Sequence, residues 1–116
     1  MQLNMNNLQV VRDSDATVGE MGQAYLAMGK NVALRRWEET ASTNSHLSTR
    51  SYETVGYLIE GVMELDVDGK TAKLRAGDSW HVPKGVEHQY RIIEAIVAIE
   101  ATSPPGRTNH RDDQSS

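Results

Sequence analysis

His88 is the side chain of this sequence that is best placed to do chemistry. It lies three residues beyond a Pro83-x-Gly85 corner, within the stretch Gly77–Tyr90. Proline fixes φ and lacks a backbone donor, and glycine can adopt positive φ, so the pair predicts a sharp and rigid reversal of the chain. A neutral imidazole held at such a point can serve as a metal ligand, an acid or a base. We predict that His88 contacts a ligand, with a hydrogen-bonded interior histidine as the alternative.

Short strands and tight turns are predicted to position this histidine. Val62–Val67 alternates apolar and polar residues with period two, which is typical of a half-buried strand. Asp68-Gly69 is the strongest two-residue hairpin signal, and Gly29-Lys30-Asn31 predicts another hairpin between Gln23–Met28 and Val32–Trp37. Strands at this spacing, with no convincing helix, predict an all-β barrel or sandwich.

The most strand-like part of the chain is divided by turn residues into separate predicted strands. Glu60-Gly61 separates the strand that begins near Thr54 from the strand Val62–Val67. His88 and its neighbours form one strand, and Ile96–Ile99 is predicted to be a separate last strand.

A chain of 116 residues is expected to form one domain. We predict a single domain over residues 1–102, with its core within residues 32–101. The run Ser103-Pro104-Pro105-Gly106 stops the sheet, and residues 107–116 are polar and charged without an apolar anchor. Residues 103–116 are therefore predicted to be a flexible C-terminal tail.

Composition excludes several classes of function. There is no cysteine, which excludes disulfides, zinc–thiolate sites and cysteine nucleophiles. The net charge of −4 argues against a nucleic-acid partner. Met1–Asn7 lacks the pattern of a signal peptide, and no apolar run is long enough to span a bilayer, so neither a membrane partner nor export is expected. We predict a cytoplasmic protein.

The stretch around His88 resembles the second motif of the cupin family, which is a Gly, five residues, Pro-x-Gly, two residues and a His. The matching positions are Gly77, Pro83, Gly85 and His88. Ile92 stands where the family motif has Asn, and Glu60-Gly61 resembles the end of the first motif. The resemblance covers about Val32–Ala101. It implies a small antiparallel barrel of the cupin type, a double-stranded β-helix that is also described as jelly-roll-like.

The first motif of the family supplies two His and one Glu as metal ligands, and this chain departs from that pattern. Counted back from the closing glycine, the Glu position falls on Thr54. The two His positions fall on Ser48 and Arg50, or on Leu47 and Thr49, depending on the register.

We predict a protein without a cofactor, and the alternative is a protein with an atypical metal site. No cofactor is predicted; if one is bound, His46, Glu53 and His88 have the atom types that a divalent transition metal such as Mn, Fe, Ni or Zn requires. In the first of the two registers, Arg50 instead places a guanidinium beside His88, where it would repel a cation and attract a carboxylate or phosphate. The alternative is an Arg50 at the barrel lip, paired with Glu53 or Glu87 in solvent.

Aromatic residues complete the predicted pocket. Tyr52 and Trp80 are candidate ligand contacts together with Arg50 and His88, although core packing is the alternative for both aromatic residues. His88 and Tyr90 are the candidate catalytic pair, as in the metal-free epimerases that cupins resemble.

These residues predict a protein that binds a small, anionic molecule in the barrel mouth. One alternative is a metal-dependent cupin enzyme of the dioxygenase or isomerase type with the atypical ligands. A second alternative is a metal-free, epimerase-like acid–base enzyme, and the sequence does not decide whether the protein is an enzyme. A homodimer through the early strands is expected, with Trp37 at its interface.

Overall fold

The structure, a computed structural model, describes residues 2–5, 8–42, 47–109 and 111–113. Within these ranges it contains two 3₁₀ turns, Asp13–Asp15 and Arg111–Asp113, and no helix long and apolar enough to cross a membrane. The strands are β1 (Gln2–Met5), β2 (Leu8–Val11), β3 (Thr17–Val18), β4 (Gln23–Met28), β5 (Ala33–Glu39), β6 (Glu53–Val67), β7 (Lys70–Arg75), β8 (Ser79–Val82) and β9 (His88–Ser103).

The last strand, β9, lies in the middle of the main sheet. The strand order is β3-β4-β5-β9-β6-β7, with β8 paired to the first part of β6, and every pairing is antiparallel. Strands β1 and β2 form a separate hairpin. This architecture confirms the predicted all-β, antiparallel fold.

Both predicted hairpins are present. Asp68 and Gly69 have φ of 49° and 79°, the two positive values that a tight turn between right-twisted strands requires, and they join β6 to β7. The hairpin predicted at Gly29-Lys30-Asn31 joins β4 to β5.

Strands β6 and β9 are longer than the sequence predicts. β6 runs unbroken for 15 residues through Glu60-Gly61, and β9 runs for 16 residues, so the predictions of a break at Gly61 and of a separate strand Ile96–Ile99 are wrong. The β6–β9 register shifts on both sides of Glu60, and Gly61 has a φ of 94°. A Cβ on Gly61 would lie 2.2 Å from the Ala95 carbonyl oxygen. The glycine therefore bends the strand and does not end it, because a bulge re-aims a strand while its pairing continues.

Strands β6 and β9 enclose an apolar core together with β5, β7 and β8. Its buried members are Trp37, Leu58, Met63, Leu65, Leu74, Trp80, Val82, Ile92, Ile96 and Ala98. The Trp37 ring packs edge-on against Tyr90 with centroids 4.9 Å apart, and only 8% of Trp37 is exposed. The prediction of Trp37 at a subunit interface is therefore wrong, because the residue faces into the barrel.

The segment after β9, residues 104–109 and 111–113, turns back onto the barrel. The Gly106 N–H donates to Thr102 Oγ1 at 2.8 Å, and the Arg111 N–H donates to the Thr108 carbonyl. The turn Arg111–Asp113 brings Asp112 against the barrel, where only 7% of the residue is exposed.

Candidate functional site

A cavity of about 590 Å³ lies inside the barrel, within the usual range for small-molecule sites. Its wall includes Arg35, Trp37, Arg50, Tyr52, His88 and Tyr90, which come from β5, the loop before β6, and β9. The wall thus combines two guanidinium groups with aromatic rings and one imidazole.

A buried ion pair forms one side of the cavity. Arg35 on β5 is the direct partner of Glu100 on β9 in the strand register, and Arg35 Nε donates to Glu100 Oε1 at 2.9 Å. The two residues are 8% and 3% exposed. Burial alone would lower the pKa of Arg35, but the carboxylates of Glu100 and Asp112 and the Tyr52 phenol outweigh it and raise that pKa. The guanidinium is therefore a permanent cation inside the barrel.

Asp112 shares this cation from the segment after β9. Its Oδ1 accepts hydrogen bonds from Arg35 Nη1 at 2.7 Å and from the Tyr52 hydroxyl at 2.5 Å. The Tyr25 hydroxyl lies 3.5 Å from Oδ2. Burial, the main cause, together with Asp112 raises the pKa of Tyr52 to about 12, so its hydroxyl keeps its proton at neutral pH and donates it. Three donors thus converge on one carboxylate.

Arg50 lies beside the same carboxylate and also beside the cavity. Its Nη1 donates to the main-chain oxygen of Asp112 at 2.6 Å, and its own carbonyl accepts the Gly85 N–H at 2.9 Å. Ser48 and Thr54 line the cavity with it, whereas Leu47 is 49% exposed. The cavity wall therefore contains Ser48 and Arg50 of the first register, and not Leu47 or Thr49 of the second.

His88 begins β9 and lines the cavity with 8% of its surface exposed. Its Nδ1 lies 3.0 Å from the Val86 carbonyl oxygen, which can only accept, so Nδ1 carries a proton. In the neutral ring, Nε2 is then the acceptor nitrogen. The Ser48 N–H and carbonyl pair with the backbone of His88 and fix the strand at this point.

Tyr90 packs against His88, with ring centroids 5.7 Å apart. Burial first, and the charge of Glu100 second, raise the pKa of the Tyr90 phenol far above its usual value. Its oxygen accepts a hydrogen bond from Trp80 Nε1 at 3.2 Å. Trp80 itself belongs to the apolar core and is not part of the cavity wall, so the structure brings together the predicted Arg50, Tyr52, His88 and Tyr90 but not Trp80.

The described residues of the cavity do not form a metal site. Glu53 is exposed and its Oε1 lies 2.8 Å from Nε2 of His81, so it is held away from His88, while His46 lies outside the described residues. Across the parts of the chain that the structure describes, no group of three or more His, Asp or Glu could hold a metal. Besides His88, the candidate ligand positions Ser48, Thr54 and Arg50 carry two hydroxyls and a guanidinium, and the charge of Arg50 repels a metal cation.

Three of the site residues, Arg35, Glu100 and Asp112, are not among those predicted from the sequence. Two of them interrupt inward-facing apolar positions: Arg35 lies between Ala33 and Trp37, and Glu100 comes two residues after Ala98. A charged residue at an inward position of a strand predicts a buried partner of opposite charge, and that signal could have found this pair. Asp112 fits no such pattern.

Comparison with known proteins identifies the family. Residues 35–99 match the cupin domain. The chain is 32% identical over 78 residues to polyketide synthase CurC of Streptomyces cyaneus, which is 67% of this chain but only 43% of that protein. It therefore spans less than half of the length of this curated relative.

Solved structures show the same fold at low sequence identity. An RmlC-like cupin from Shewanella frigidimarina superposes with a TM-score of 0.77 at 20% identity, over 94% of this chain and 97% of that one. The EutQ protein of Clostridium difficile gives 0.72 at 16% identity over 94% and 91%. KdgF from a Halomonas species gives 0.70 at 19% identity over 87% and 94%. With more than half of its length matched by the cupin domain, this chain belongs to the cupin family.

Proposed function

We propose that this cupin binds a small anionic organic molecule in its barrel cavity. The observation that carries the proposal is the pair of guanidinium groups, Arg35 and Arg50, in a cavity where His88 has no second or third metal donor beside it among the described residues. Arginine is suited to this role because its planar fork donates two parallel hydrogen bonds to a carboxylate or phosphate.

The remaining wall suits an organic body. Trp37 and Tyr90 present aromatic faces, and the His88 acceptor nitrogen can receive a hydrogen bond from a ligand hydroxyl. The name of the Streptomyces relative, a polyketide synthase, also favours an organic ligand over an inorganic anion.

Binding is favoured over acid–base catalysis by the state of Tyr90. Its raised pKa keeps the phenol protonated, and its oxygen is already engaged by Trp80. Proton transfer between His88 and Tyr90 needs a phenol that can lose its proton near neutral pH, which this environment opposes.

A thermal-shift screen of small organic carboxylates and phosphates tests the proposal, with calorimetry of the best ligand as the second step. Arg50→Ala removes a charge-assisted hydrogen bond, so we expect affinity to fall by about 10- to 100-fold. Arg75→Ala is the matched control, because Arg75 is exposed on β7 and is not part of the cavity wall. The proposal is contradicted if no compound in the screen binds, or if the compound that binds has the same affinity for Arg50→Ala as for the wild type.

We also propose that a second copy of the chain covers the outer face of the main sheet. Val55, Tyr57 and Ile59 on β6 are 51%, 50% and 43% exposed, and Leu34 on β5 lies on the same face. An apolar patch of neighbouring residues on a sheet face marks an interaction surface. Light scattering should give a dimer that Tyr57→Glu converts to a monomer; a monomeric wild type refutes the proposal.

A further inference from the structure

Asp112 is not part of the cavity wall, but it occupies hydrogen-bond donors of that wall that could hold the anionic group of a ligand. Its carboxylate accepts from Arg35 and Tyr52, both of which also line the cavity. Both oxygens of the Asp112 carboxylate have donors. The Arg35 guanidinium and the Tyr52 hydroxyl donate to Oδ1, and the Tyr25 hydroxyl lies near Oδ2. Such a convergence is what recognition of a carboxylate requires.

The two carboxylates on Arg35 differ in how firmly they are attached. Glu100 lies within β9, paired on one side with β5 and on the other with β6. Asp112 lies in a three-residue turn of the segment after β9, and that segment forms no ladder with the sheet over its described residues. Its contacts with the barrel are made by side chains and by single hydrogen bonds, such as Gly106 N–H to Thr102. Glu100 is therefore held by two strand pairings, whereas Asp112 is held by side-chain contacts and by the hydrogen bond from Arg50 Nη1 to its main-chain oxygen.

Gly106 permits the close approach of the segment. A Cβ at this position would lie 3.0 Å and 3.1 Å from the two carboxylate oxygens of Asp112 and 3.1 Å from the Tyr52 ring. Glycine thus lets the backbone, the carboxylate and the phenol ring pack together.

The charges of Arg35, Arg50 and Glu100 favour a ligand that carries one negative charge. With Asp112 removed, the inner wall holds the two guanidinium charges of Arg35 and Arg50 and the one carboxylate charge of Glu100. The other charged residues of the wall, Glu20, Glu38 and Glu39, are all acidic. A dianion would bring more negative charge than the site balances, and burial of an unbalanced charge is unfavourable. A monocarboxylate matches the charge of the group that it replaces.

We propose that Asp112, in the turn Arg111–Asp113, acts as an internal surrogate ligand, and that the site takes a monocarboxylate whose carboxylate displaces that of Asp112 from Arg35 and Tyr52. The inference rests on the proposed binding function and adds the class of ligand and its competitor. The ligand carboxylate and the Asp112 carboxylate cannot occupy the same donors at once. Asp112 therefore lowers the apparent affinity for the ligand in proportion to the fraction of molecules in which it has left Arg35 and Tyr52. Loss of the Asp112 carboxylate therefore strengthens ligand binding.

The test uses the full chain and acetate, the small molecule that corresponds to the aspartate side chain. Thermal unfolding is measured for the wild type, Asp112→Ala and the control Glu87→Ala, an exposed carboxylate, at constant ionic strength. We expect Asp112→Ala to be stabilised by acetate at a concentration about tenfold lower than the wild type and the control need. Acetamide, which is neutral, and phosphate, which is largely a dianion at pH 8, should not replace acetate.

A second measurement monitors the segment itself. Amide hydrogen exchange of residues 106–109 and 111–113 in the wild type should become faster when benzoate, a monocarboxylate with an aromatic body, saturates the site. Three results would each overturn the inference. The first is an equal response of Asp112→Ala and the wild type to acetate, and the second is a response to phosphate as strong as that to acetate. The third is hydrogen exchange that benzoate does not change. If an anion still binds in an Arg50-dependent way, the proposed function stands and only the role of Asp112 fails; if no anion binds any variant, both fail.

Discussion

Replacement of Arg35 by methionine gives the sharpest test of the buried charge network. The variant removes the cation that holds Glu100 at 2.9 Å and Asp112 at 2.7 Å. Removal of one partner of a buried ion pair costs about 3–5 kcal/mol, because the remaining charge stays desolvated. Asp112 lies outside the sheet, so its segment can adjust to the loss of the cation more easily than Glu100, which is 3% exposed in the central strand. We therefore expect a loss of about 3–5 kcal/mol, set mainly by Glu100.

Such a loss is a large part of the ~5–15 kcal/mol that stabilises a typical domain, so it is easily measured. Urea unfolding monitored by the fluorescence of Trp37 and Trp80 gives the free energies. The double variant Arg35→Met/Glu100→Leu should recover most of the loss, because apolar residues of similar volume leave no buried charge. A single variant that loses less than about 1 kcal/mol, or a double variant less stable than the single one, refutes this account of the pair.

Three further predictions concern other parts of the molecule. Burial raises the pKa of Tyr52 to about 12, so stability from its protonated form is complete below about pH 10 and is lost as pH rises towards 12; Tyr52→Phe should flatten that part of a stability–pH curve. Hydrogen bonds from Arg91, the main cause, hold the pKa of Asp66 below its usual value. The ionised Asp66 therefore stabilises the fold above about pH 4, and this contribution is lost as the pH falls. In urea titrations, Arg91→Met should be less stable than the wild type at pH 7, and the difference should shrink at pH 3. Gly61→Ala should lose at least about 2 kcal/mol in the same assay, since its Cβ would collide with the Ala95 carbonyl at positive φ; an equally stable variant would contradict the role of Gly61 in the bend of β6.

The fold could be predicted from sequence because its signals are local. The Asp68-Gly69 turn, the period-two pattern of Val62–Val67 and the corner before His88 each depend on a few adjacent residues. The length of β6 could not be predicted, since Glu60-Gly61 has the composition of a turn and only its pairing with β9 keeps it within a strand.

The candidate site could be predicted only in part, because its central group is built from distant residues. Arg50, Tyr52, His88 and Tyr90 are neighbours of one cavity, as the sequence predicts. The Arg35–Glu100 pair joins positions 65 residues apart, and only the order of the strands brings them together. The Asp112 contact depends on the path of a polar segment, for which hydrophobic periodicity gives no information.

The central place of β9 has a consequence for how the chain is made. β5 emerges from the ribosome early but its partner in the sheet, β9, emerges about sixty residues later, and β6 also lacks this partner until then. During that interval β5 and β6 lack the strand that hydrogen-bonds to both of them, and their core residues, including Trp37 and Leu58, are not yet enclosed by the barrel. Pairing over such sequence separations is slow, and exposed apolar strands are prone to aggregate. Synthesis past Ser103 is therefore the step that allows the barrel to close.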